Sequence, residues 1–370
     1  MKKILFLIHD LGEGGAEKVM LNLVNNMDQN QFDITVMTLF DYGVNRQFIS
    51  PHIKYKTWCK KMFRGNAHFL KIFTPQQLHK MIIKEKYDIE IAYLEGPCAR
   101  VISGCDDDKT KKIAWIHTEQ HVSKKDLFSF RSVDEAKKCY NSFDRIICVS
   151  EVVKKCFAKA LEIKVPVDVL YNTNETERII ELSKECIEDN IFVETEINLI
   201  GVGKLLKIKG FDRLISCVMK LKEDNFPVHL YILGIGPMET ELKQYVKNNR
   251  LNNNITFLGY KTNPYKYMAK SDLFVCSSYI EGFSTAATEA LIVGTPVCTV
   301  DVSGMKEMLG DNSEYGIIVE NNEEALYRGM KKILSDKQLF EFYKTQSIIR
   351  GKMFSKENTV KAVENMLLEM

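Results

Sequence analysis

The sequence predicts an α/β protein of two domains, each built on a mostly parallel sheet that helices cover on both faces. Short, continuously apolar segments alternate with amphipathic helical stretches along the chain, which is typical of parallel strands buried on both sides. With 370 residues, the chain is too long for one average core. A polar stretch from Asn172 to about Glu196 divides the apolar segments into two sets, so we expect two Rossmann-like, doubly wound domains.

Strand candidates lie on both sides of this polar stretch. The earlier ones are Lys3–Ile8, Asp33–Thr38, Ile53–Lys56, Ile89–Tyr93, Ile113–Ile116, Arg145–Val149 and Val167–Leu170. The later ones are Ile197–Val202, Val228–Leu233, Ile255–Leu258, Leu273–Cys276, Val297–Val300 and Gly316–Val319. We assign residues 1–172 to the first domain, 173–196 to a linker and 197–354 to the second domain. A last helix over residues 355–370, which Ser355 can cap, ends the chain.

Composition narrows the class of protein and its compartment. The chain is 45% hydrophobic and 27% charged, with a formal net charge of +2, so it lacks the overall basic character of a nucleic-acid-binding protein. Ten cysteines are scattered without C-x-x-C or zinc-like spacing, which favours reduced thiols in a cytoplasm. The apolar run Ile4–Ile8 is too short for a signal peptide. No run approaches the roughly 18 apolar residues of a membrane span.

A glycine-rich turn follows the first predicted strand. Its sequence is Gly12-Glu13-Gly14-Gly15-Ala16-Glu17. A dinucleotide fingerprint requires glycine where Glu17 stands, so NAD binding loses its main support. The backbone N–H groups at Gly14 and Gly15 could still approach an anion at a helix start. A plain strand-to-helix turn explains the glycines equally well.

Two lysines lie in the loop that follows the first strand of the second domain. Lys204 comes directly after the strand, and Lys209 follows five residues later. Two cations at the carboxyl end of a strand can hold a diphosphate as point charges, with each charge-assisted bond contributing roughly 1.5–3 kcal/mol. A solvated lysine loop is the alternative interpretation.

The most informative segment runs from Glu281 to Glu289, between a predicted strand and a predicted helix. It places two acids beside a helix N-terminus, whose N–H groups and positive dipole end attract anions. Carboxylates in turn accept hydrogen bonds from hydroxyls, so the segment suits a ligand with both phosphate and sugar hydroxyls. Taken singly, the acids could be a helix N-terminal acid and an ordinary surface glutamate.

In order and spacing, this segment closely resembles the donor-binding segment of retaining glycosyltransferases of family 4, with their E-x7-E motif. The Gly-Gly-Ala-Glu turn, His117 at a strand end and the lysine loop also match that family, so the resemblance spans nearly the whole chain. It implies a GT-B fold, in which the last helix crosses back to the first domain. It also implies a cleft between the domains, where a hexose or N-acetylhexosamine passes from a nucleotide-diphosphate sugar, expected to be a UDP-sugar.

The resemblance also implies roles for individual residues. His117 and Glu281 would contact the donor sugar, and Glu289 would bind the ribose hydroxyls. Lys204, where the family has arginine, and Lys209 would bind the diphosphate. The remaining donor-binding candidates are Gly14, Gly15, Tyr260 beside the base, Gly282, Phe283, Ser284 and Thr285.

No metal or other cofactor is predicted. Asp106-Asp107-Asp108 satisfies the D-x-D pattern with which another glycosyltransferase class holds a metal, but it precedes a strand within a mixed-charge run. We interpret it as a solvated loop. Catalysis would then depend on lysines and helix ends that neutralise the departing diphosphate.

The charge distribution is most unusual between Asp41 and Glu85, where no acid occurs. Nine cations lie there, namely Arg46, Lys54, Lys56, Lys60, Lys61, Arg64, Lys71, Lys80 and Lys84. Apolar residues are interleaved with them, including Trp58, Met62, Phe63, Phe69, Leu70, Ile72 and Phe73. This pattern favours contact with an anionic membrane surface. An exposed rim of an ordinary domain is the alternative.

The sequence therefore predicts a cytoplasmic enzyme, peripheral at the inner face of the cell membrane, that acts in capsule or exopolysaccharide synthesis. Its partners would be a nucleotide sugar and a saccharide acceptor linked to a polyprenyl diphosphate. Two rival functions share the fold. A sugar-nucleotide epimerase would need further acid/base residues, and a non-catalytic sensor would be expected to lack His117 or Glu281, both of which are present.

Overall fold

The chain folds into two compact units in the computed structural model, which describes residues 1–119, 129–187 and 191–370. The first unit consists of Met1–Thr173 together with Glu357–Met370, and the second of Asn174–Lys356. Within the described residues, no helix combines the length and apolarity needed to cross a bilayer.

The first unit is built on a seven-stranded parallel sheet with the order β3-β2-β1-β4-β5-β6-β7. The strands are β1 (Lys2–Ile8), β2 (Phe32–Phe40), β3 (Lys54–Cys59), β4 (Ile89–Ala92), β5 (Lys111–Ile116), β6 (Arg145–Cys148) and β7 (Val167–Val169). The run Ile4–Ile8 is fully buried in the central strand. Strand order reverses between β1 and β4, and ligand crevices form outside the carboxyl ends of strands at such a point.

Three of the helices described in the first unit begin at a side-chain cap. The described helices that precede the second unit are α1 (Gly15–Val24), α2 (Asn66–Ile72), α3 (Pro75–Ile82), α4 (Pro97–Ile102), α5 (Val133–Tyr140) and α6 (Glu151–Leu161), with a short 3₁₀ turn at Val44–Phe48. Thr74 and Gln77 form a reciprocal capping box at the start of α3, and the Ser132 and Ser150 hydroxyls cap α5 and α6. Each cap satisfies N–H groups that a helix start leaves unpaired.

The second unit repeats this architecture with a six-stranded parallel sheet of order β10-β9-β8-β11-β12-β13. Its strands are β8 (Ile197–Val202), β9 (Val228–Leu233), β10 (Ile255–Gly259), β11 (Leu273–Cys276), β12 (Val297–Val300) and β13 (Ile317–Val319). Strand order reverses between β8 and β11. Each of the thirteen strands predicted from apolar runs is therefore present, with ends shifted by three residues at most.

Helices cover both sheets and return the chain to its first unit. Those of the second unit are α7 (Thr176–Ser183), α8 (Phe211–Glu223), α9 (Glu239–Asn248), α10 (Tyr265–Lys270), α11 (Thr285–Ile292), α12 (Met305–Leu309), α13 (Glu323–Ser335) and α14 (Lys337–Met353), with a 3₁₀ turn at Lys207–Lys209. The last helix, α15 (Lys356–Leu368), packs in the first unit. There the Lys2 ammonium donates to the Leu367 carbonyl oxygen at 2.8 Å.

The stretch expected to be a linker contains a packed helix instead. Within residues 173–196, α7 buries Ile179 and packs on α10 and α11, and the Asn263 amide donates to the Leu182 carbonyl oxygen at 2.9 Å. Polar residues dominate this stretch, but one apolar face is enough to dock a short helix. Residues 188–190 of the predicted linker lie outside the described residues.

Candidate functional site

The loops at the carboxyl edge of the second sheet approach one another closely, and two glycines make this possible. Gly234 follows β9 with φ +137°, and a Cβ atom there would lie 1.9 Å from the Gly203 carbonyl oxygen. Gly210 has φ +63°, and its Cβ would lie 2.0 Å from the Ser277 carbonyl oxygen. Since only glycine fits both positions, the loop after β8 is held against the ends of β9 and β11.

This close approach brings Lys209 to Glu281, 72 residues further along the chain. The Lys209 Nζ atom lies 2.6 Å from Glu281 Oε1. The Ser278 hydroxyl donates to the same oxygen at 2.5 Å. Burial by itself would lower the pKa of Lys209, but its attraction to Glu281 and the hydrogen bond between them raise that pKa. The lysine therefore stays charged in a partly buried position.

Glu289 lies one helical turn inside α11 and is almost completely buried. The Tyr265 hydroxyl approaches Glu289 Oε1 at 3.4 Å. At the helix start, the Ser284 hydroxyl accepts from the Ala287 N–H, and Thr285 is the first helical residue. Phe283 is buried just before this cap. The E-x7-E segment thus places one acid in the loop and the other within the helix.

Lys204 and Tyr260 also lie at the carboxyl edge of the second sheet, where they follow β8 and β10. Lys204 is partly exposed, and its ammonium has no ionic partner among the residues that the structure describes. Tyr260 follows β10, which is an edge strand of the sheet, and is 36% exposed. Their predicted roles at the donor stay predictions.

Sequence reasoning missed Arg213, which supports the loop that carries Glu281. This arginine on α8 is 3% exposed. Its guanidinium donates to the carbonyl oxygens of Ser277 and Ser278, each at 2.6 Å, and to Asn321 Oδ1 at 2.9 Å. The available signal was a charged residue on the apolar face of a helix, because such a side chain must be paired when it is buried.

In the first unit, His117 lies directly after β5 at the carboxyl edge of its sheet. Burial lowers the pKa of His117 to about 3. One ring nitrogen bonds the backbone of Tyr93, and Nε2 is buried without a partner among the described residues. Since a carbonyl can only accept, Nδ1–H is the donor. The neutral ring therefore presents the Nε2 lone pair, which can accept a hydrogen bond from a hydroxyl.

A second unpredicted residue, Glu95, fixes the main chain around this histidine. Its Oε1 atom accepts from the N–H groups of His117 at 2.6 Å and Thr118 at 2.7 Å. Burial raises the pKa of Glu95, against the opposing effect of these donors. The rings of Tyr93 and His117 also lie 4.8 Å apart. The loop after β4 thus fixes both the backbone and the ring of His117. The signal available in the sequence was an acid at a strand end.

The glycine turn of the first unit differs in detail from the expectation. Gly14 is the N-cap of α1, and a Cβ atom there would lie 2.0 Å from Glu17 Oε2. The Glu17 carboxylate therefore lies beside the N-terminus of α1, where it interacts favourably with the helix dipole. An anion that approached Gly14 or Gly15 would encounter this negative charge.

The Asp106-Asp107-Asp108 run lies away from these carboxyl edges. Asp106 and Asp107 precede β5 and pair with Lys80 and Lys86. Among the described residues, one cluster has metal-ligand types within 4.8 Å of one another, namely His79, Glu90 and Cys105. There His79 Nε2 already bonds Glu90 Oε2 at 2.8 Å. This hydrogen bond is enough to explain why Glu90 is buried.

Comparison with known proteins agrees with this architecture. The family model "Glycosyltransferase Family 4" matches residues 13–178, and "Glycosyl transferases group 1" matches residues 182–348. The chain therefore consists of a family 4 glycosyltransferase domain followed by a group 1 glycosyltransferase domain. Its two units match the two halves of the GT-B fold. Anabaena HepE, solved in complex with UDP, aligns over all of both chains with a TM-score of 0.77 and 18% identity. Sucrose-phosphate synthase from Thermosynechococcus elongatus aligns with a TM-score of 0.79 and 15% identity.

Two curated relatives of this glycosyltransferase have named activities in bacteria. A Campylobacter jejuni protein is 29% identical over 363 residues, which are 96% of each chain. It is an N-acetylgalactosamine-N,N'-diacetylbacillosaminyl-diphospho-undecaprenol 4-alpha-N-acetylgalactosaminyltransferase. The Rhizobium meliloti lipopolysaccharide core biosynthesis glycosyltransferase LpsD is 22% identical over 344 residues, covering 90% of this chain and 89% of LpsD.

Proposed function

We propose that this glycosyltransferase moves a hexose or N-acetylhexosamine from a UDP-sugar to a lipid-linked saccharide in cell-surface polysaccharide synthesis, with retention of anomeric configuration and without a metal. The observation that carries this proposal is the cluster of Lys209, Glu281 and Ser278 beside the N-terminus of α11. It combines a cation for a diphosphate with acceptors for hydroxyls. HepE, a fold relative, was solved with UDP, and the Campylobacter relative acts on a diphospho-undecaprenol saccharide.

In the proposed reaction, the bond between the anomeric carbon and the diphosphate oxygen breaks while the acceptor oxygen bonds to the same face of the sugar. The acceptor's proton passes to the departing phosphate oxygen. Lys209 stabilises the charge that grows on the diphosphate, because a preorganised cation in a partly buried site acts strongly on developing charge. The N–H groups at the start of α11 add to this effect.

The acids and the histidine hold the donor in this scheme. Glu289 accepts from the ribose hydroxyls, and Glu281 accepts from sugar hydroxyls while keeping Lys209 in place. The unpaired Nε2 atom of His117 accepts from a further sugar hydroxyl. Because burial lowers the pKa of His117 to about 3, the ring stays neutral at any pH at which the enzyme would work.

A transfer assay tests the whole proposal. Purified protein is incubated with a panel of UDP-hexoses and UDP-N-acetylhexosamines, with and without polyprenyl-diphosphate-linked saccharides, and UDP release and product are measured. We expect one donor class to give a glycolipid whose anomeric coupling in NMR matches that of the donor. An inverted product would refute retention. Interconversion of donor sugars without transfer would indicate an epimerase, and donor binding without turnover would indicate a sensor.

A further inference from the structure

The acid-free stretch between Asp41 and Glu85 divides into two classes of cation once it is folded. Four cations pair with acids, in the pairs Arg46–Asp41, Lys54–Asp33, Lys56–Glu85 and Lys80–Asp106. Lys84 donates to the Lys80 carbonyl oxygen. Within the described residues, no acid pairs with the remaining four, which are Lys60, Lys61, Arg64 and Lys71. Apart from Lys84, the cations of this stretch that no acid neutralises thus lie in α2 and the loop before it.

Exposed apolar side chains occupy the same short segment. Met62, Phe63, Phe69 and Ile72 are between 37% and 70% exposed. By contrast, Trp58 is only partly exposed and packs against Phe40. We call these four apolar side chains and the four unpaired cations the α2 surface. It follows the carboxyl end of β3, on the edge of the sheet that also carries His117.

Hydrogen bonds from two arginines hold the C-terminal end of α2 in place. The C-terminal carbonyl groups of a helix lack partners within the helix, and two arginines bind those of α2. Arg100, which is buried, donates to the carbonyl oxygens of Leu70 and Phe73. Arg131 donates to those of Lys71 and Ile72.

Glu135 links these two arginines. Its Oε1 atom pairs with Arg100 at 2.9 Å, and its Oε2 atom accepts from the Arg131 backbone N–H. Aromatic contacts from Phe63 to Phe40 and from Phe69 to Phe73 add further anchorage. The helix is therefore formed before any partner arrives, which avoids an ordering cost on binding.

We propose that the α2 surface docks this enzyme on an anionic lipid bilayer, with its apolar side chains among the acyl chains and its cations at the headgroups. Charge complementarity decides between possible occupants. A second copy of the same face would bring unpaired cations together and is disfavoured by repulsion. Nucleic acid would match the cations but leave the apolar side chains without a partner, whereas an anionic bilayer matches both. This docking proposal rests on the proposed function, in which the acceptor is lipid-linked, but binding to lipid vesicles can be measured without that acceptor.

Vesicle sedimentation without nucleotide tests the docking. Wild type should bind vesicles that contain phosphatidylglycerol, bind pure phosphatidylcholine weakly, and dissociate as salt shortens the Debye length below about 8 Å. The triple variant Lys60→Glu, Lys61→Glu, Arg64→Glu should bind at least roughly a hundredfold more weakly, because losing each cation near an anionic surface costs about fivefold and each new glutamate adds repulsion. A matched control, Lys84→Glu, Lys109→Glu, Lys138→Glu, changes net charge equally elsewhere on the first unit and should keep most of the binding.

A separate variant tests how much the apolar side chains of the α2 surface contribute to vesicle binding. Met62→Ser with Ile72→Ser keeps the charge and should still weaken binding severalfold at constant salt. Calorimetry with UDP and far-UV circular dichroism check that every variant remains folded. The proposal is overturned if wild type binds neither kind of vesicle, if both triple variants lose binding equally, or if ultracentrifugation reveals a dimer that only the α2 triple variant abolishes. Transfer activity on the lipid-linked acceptor with no vesicle binding would refute the docking and leave the proposed reaction intact.

Discussion

At the residue scale, the site depends on charged side chains that are held in buried positions by specific partners. Lys209 and Glu281 stabilise each other, and Ser278 adds a hydrogen bond to the same carboxylate. Removing one member of such a group leaves the other buried charge unpaired, which is costly. Substitutions at these positions should therefore affect ligand binding and local stability together, and the controls must separate the two effects.

Lys209→Ala should weaken binding of UDP by about 1.5–3 kcal/mol, since it removes a charge-assisted contact to the diphosphate. Isothermal titration calorimetry measures this directly. Lys207→Ala is the matched control, because Lys207 is exposed in the same loop and pairs with Asp212. Equal UDP affinity for Lys209→Ala and wild type would contradict the assignment.

Substitutions of the two acids in the E-x7-E segment should affect the binding of UDP and of UDP-sugar differently. Glu289→Ala removes the ribose contacts and should weaken UDP and UDP-sugar alike. Glu281→Ala should weaken the UDP-sugar more than UDP, since its oxygen atoms face the sugar in the proposed complex. Calorimetry with both ligands on both variants gives the comparison. A Glu289→Ala protein with wild-type affinity for UDP would rule out the ribose role.

His117 should make the first unit less stable in acid. Its folded pKa of about 3 lies below the ordinary value of 6.5, so between these values the unfolded chain binds a proton that the folded chain excludes. Stability should fall as pH drops below about 6.5, by up to about 1.4 kcal/mol per pH unit from this group. Urea unfolding followed by tryptophan fluorescence reports on the first unit, because Trp58 and Trp115 both lie there.

The control for this titration is a second histidine substitution. His117→Gln should remove the His117 contribution to the slope, whereas His52→Gln, at an exposed position, should keep it. An unchanged slope in His117→Gln would show that other groups account for the pH dependence.

At the element scale, the loop between β11 and α11 depends on a neighbouring helix for its shape. Arg213 on α8 binds the Ser277 and Ser278 carbonyl oxygens, and its guanidinium lies 4.1 Å from the centre of the Tyr279 ring. Glu281 follows three residues after the second of these carbonyls. The acid is therefore positioned by α8 as well as by its own segment.

Arg213→Ala should destabilise the second unit by about 1–3 kcal/mol for each carbonyl left unpaired, and should also weaken UDP-sugar binding. Chemical denaturation and calorimetry measure the two effects. Arg328→Ala serves as a control, because Arg328 is an exposed arginine on α13 that pairs with Glu324 one turn earlier in that helix. Loss of stability without any change in UDP-sugar affinity would show that the arginine does not position Glu281.

At the scale of the whole molecule, two similar units are joined twice by the chain. The crossing at residues 173–174 is followed by a return at residues 356–357, where α15 packs in the first unit. Asp28 and Lys2 bond this last helix through Glu364 and Leu367. In each unit, candidate site residues lie at the carboxyl edge of the sheet.

Turnover by the whole enzyme should continue without divalent metal, because Lys209 and the N-terminus of α11 already offer positive charge to a departing diphosphate. The transfer assay is run after treatment with EDTA and compared with assays supplemented with magnesium or manganese. We expect rates within about twofold of one another, a difference of less than 0.5 kcal/mol in activation free energy. Activity that EDTA abolishes and manganese restores would contradict this prediction.

The sequence by itself determined the two sets of strands and the order of the motifs. Strands such as Ile4–Ile8 are recognisable because a strand buried on both faces must be continuously apolar. The E-x7-E segment is recognisable because its residues lie close together in the chain. For the same reason, α7 was taken for linker, since its short apolar face is weak beside its polar residues.

Only the tertiary structure decided which of these residues meet. Lys209 contacts Glu281 across 72 residues, Glu95 fixes His117 from another strand, and Arg100 and Arg131 hold α2 from two further segments. Such contacts depend on strand order, which long-range pairing sets and no local pattern encodes. Whether a cation such as Lys54 or Lys60 is neutralised depends on the same long-range pairing, because Asp33 reaches only the first of them.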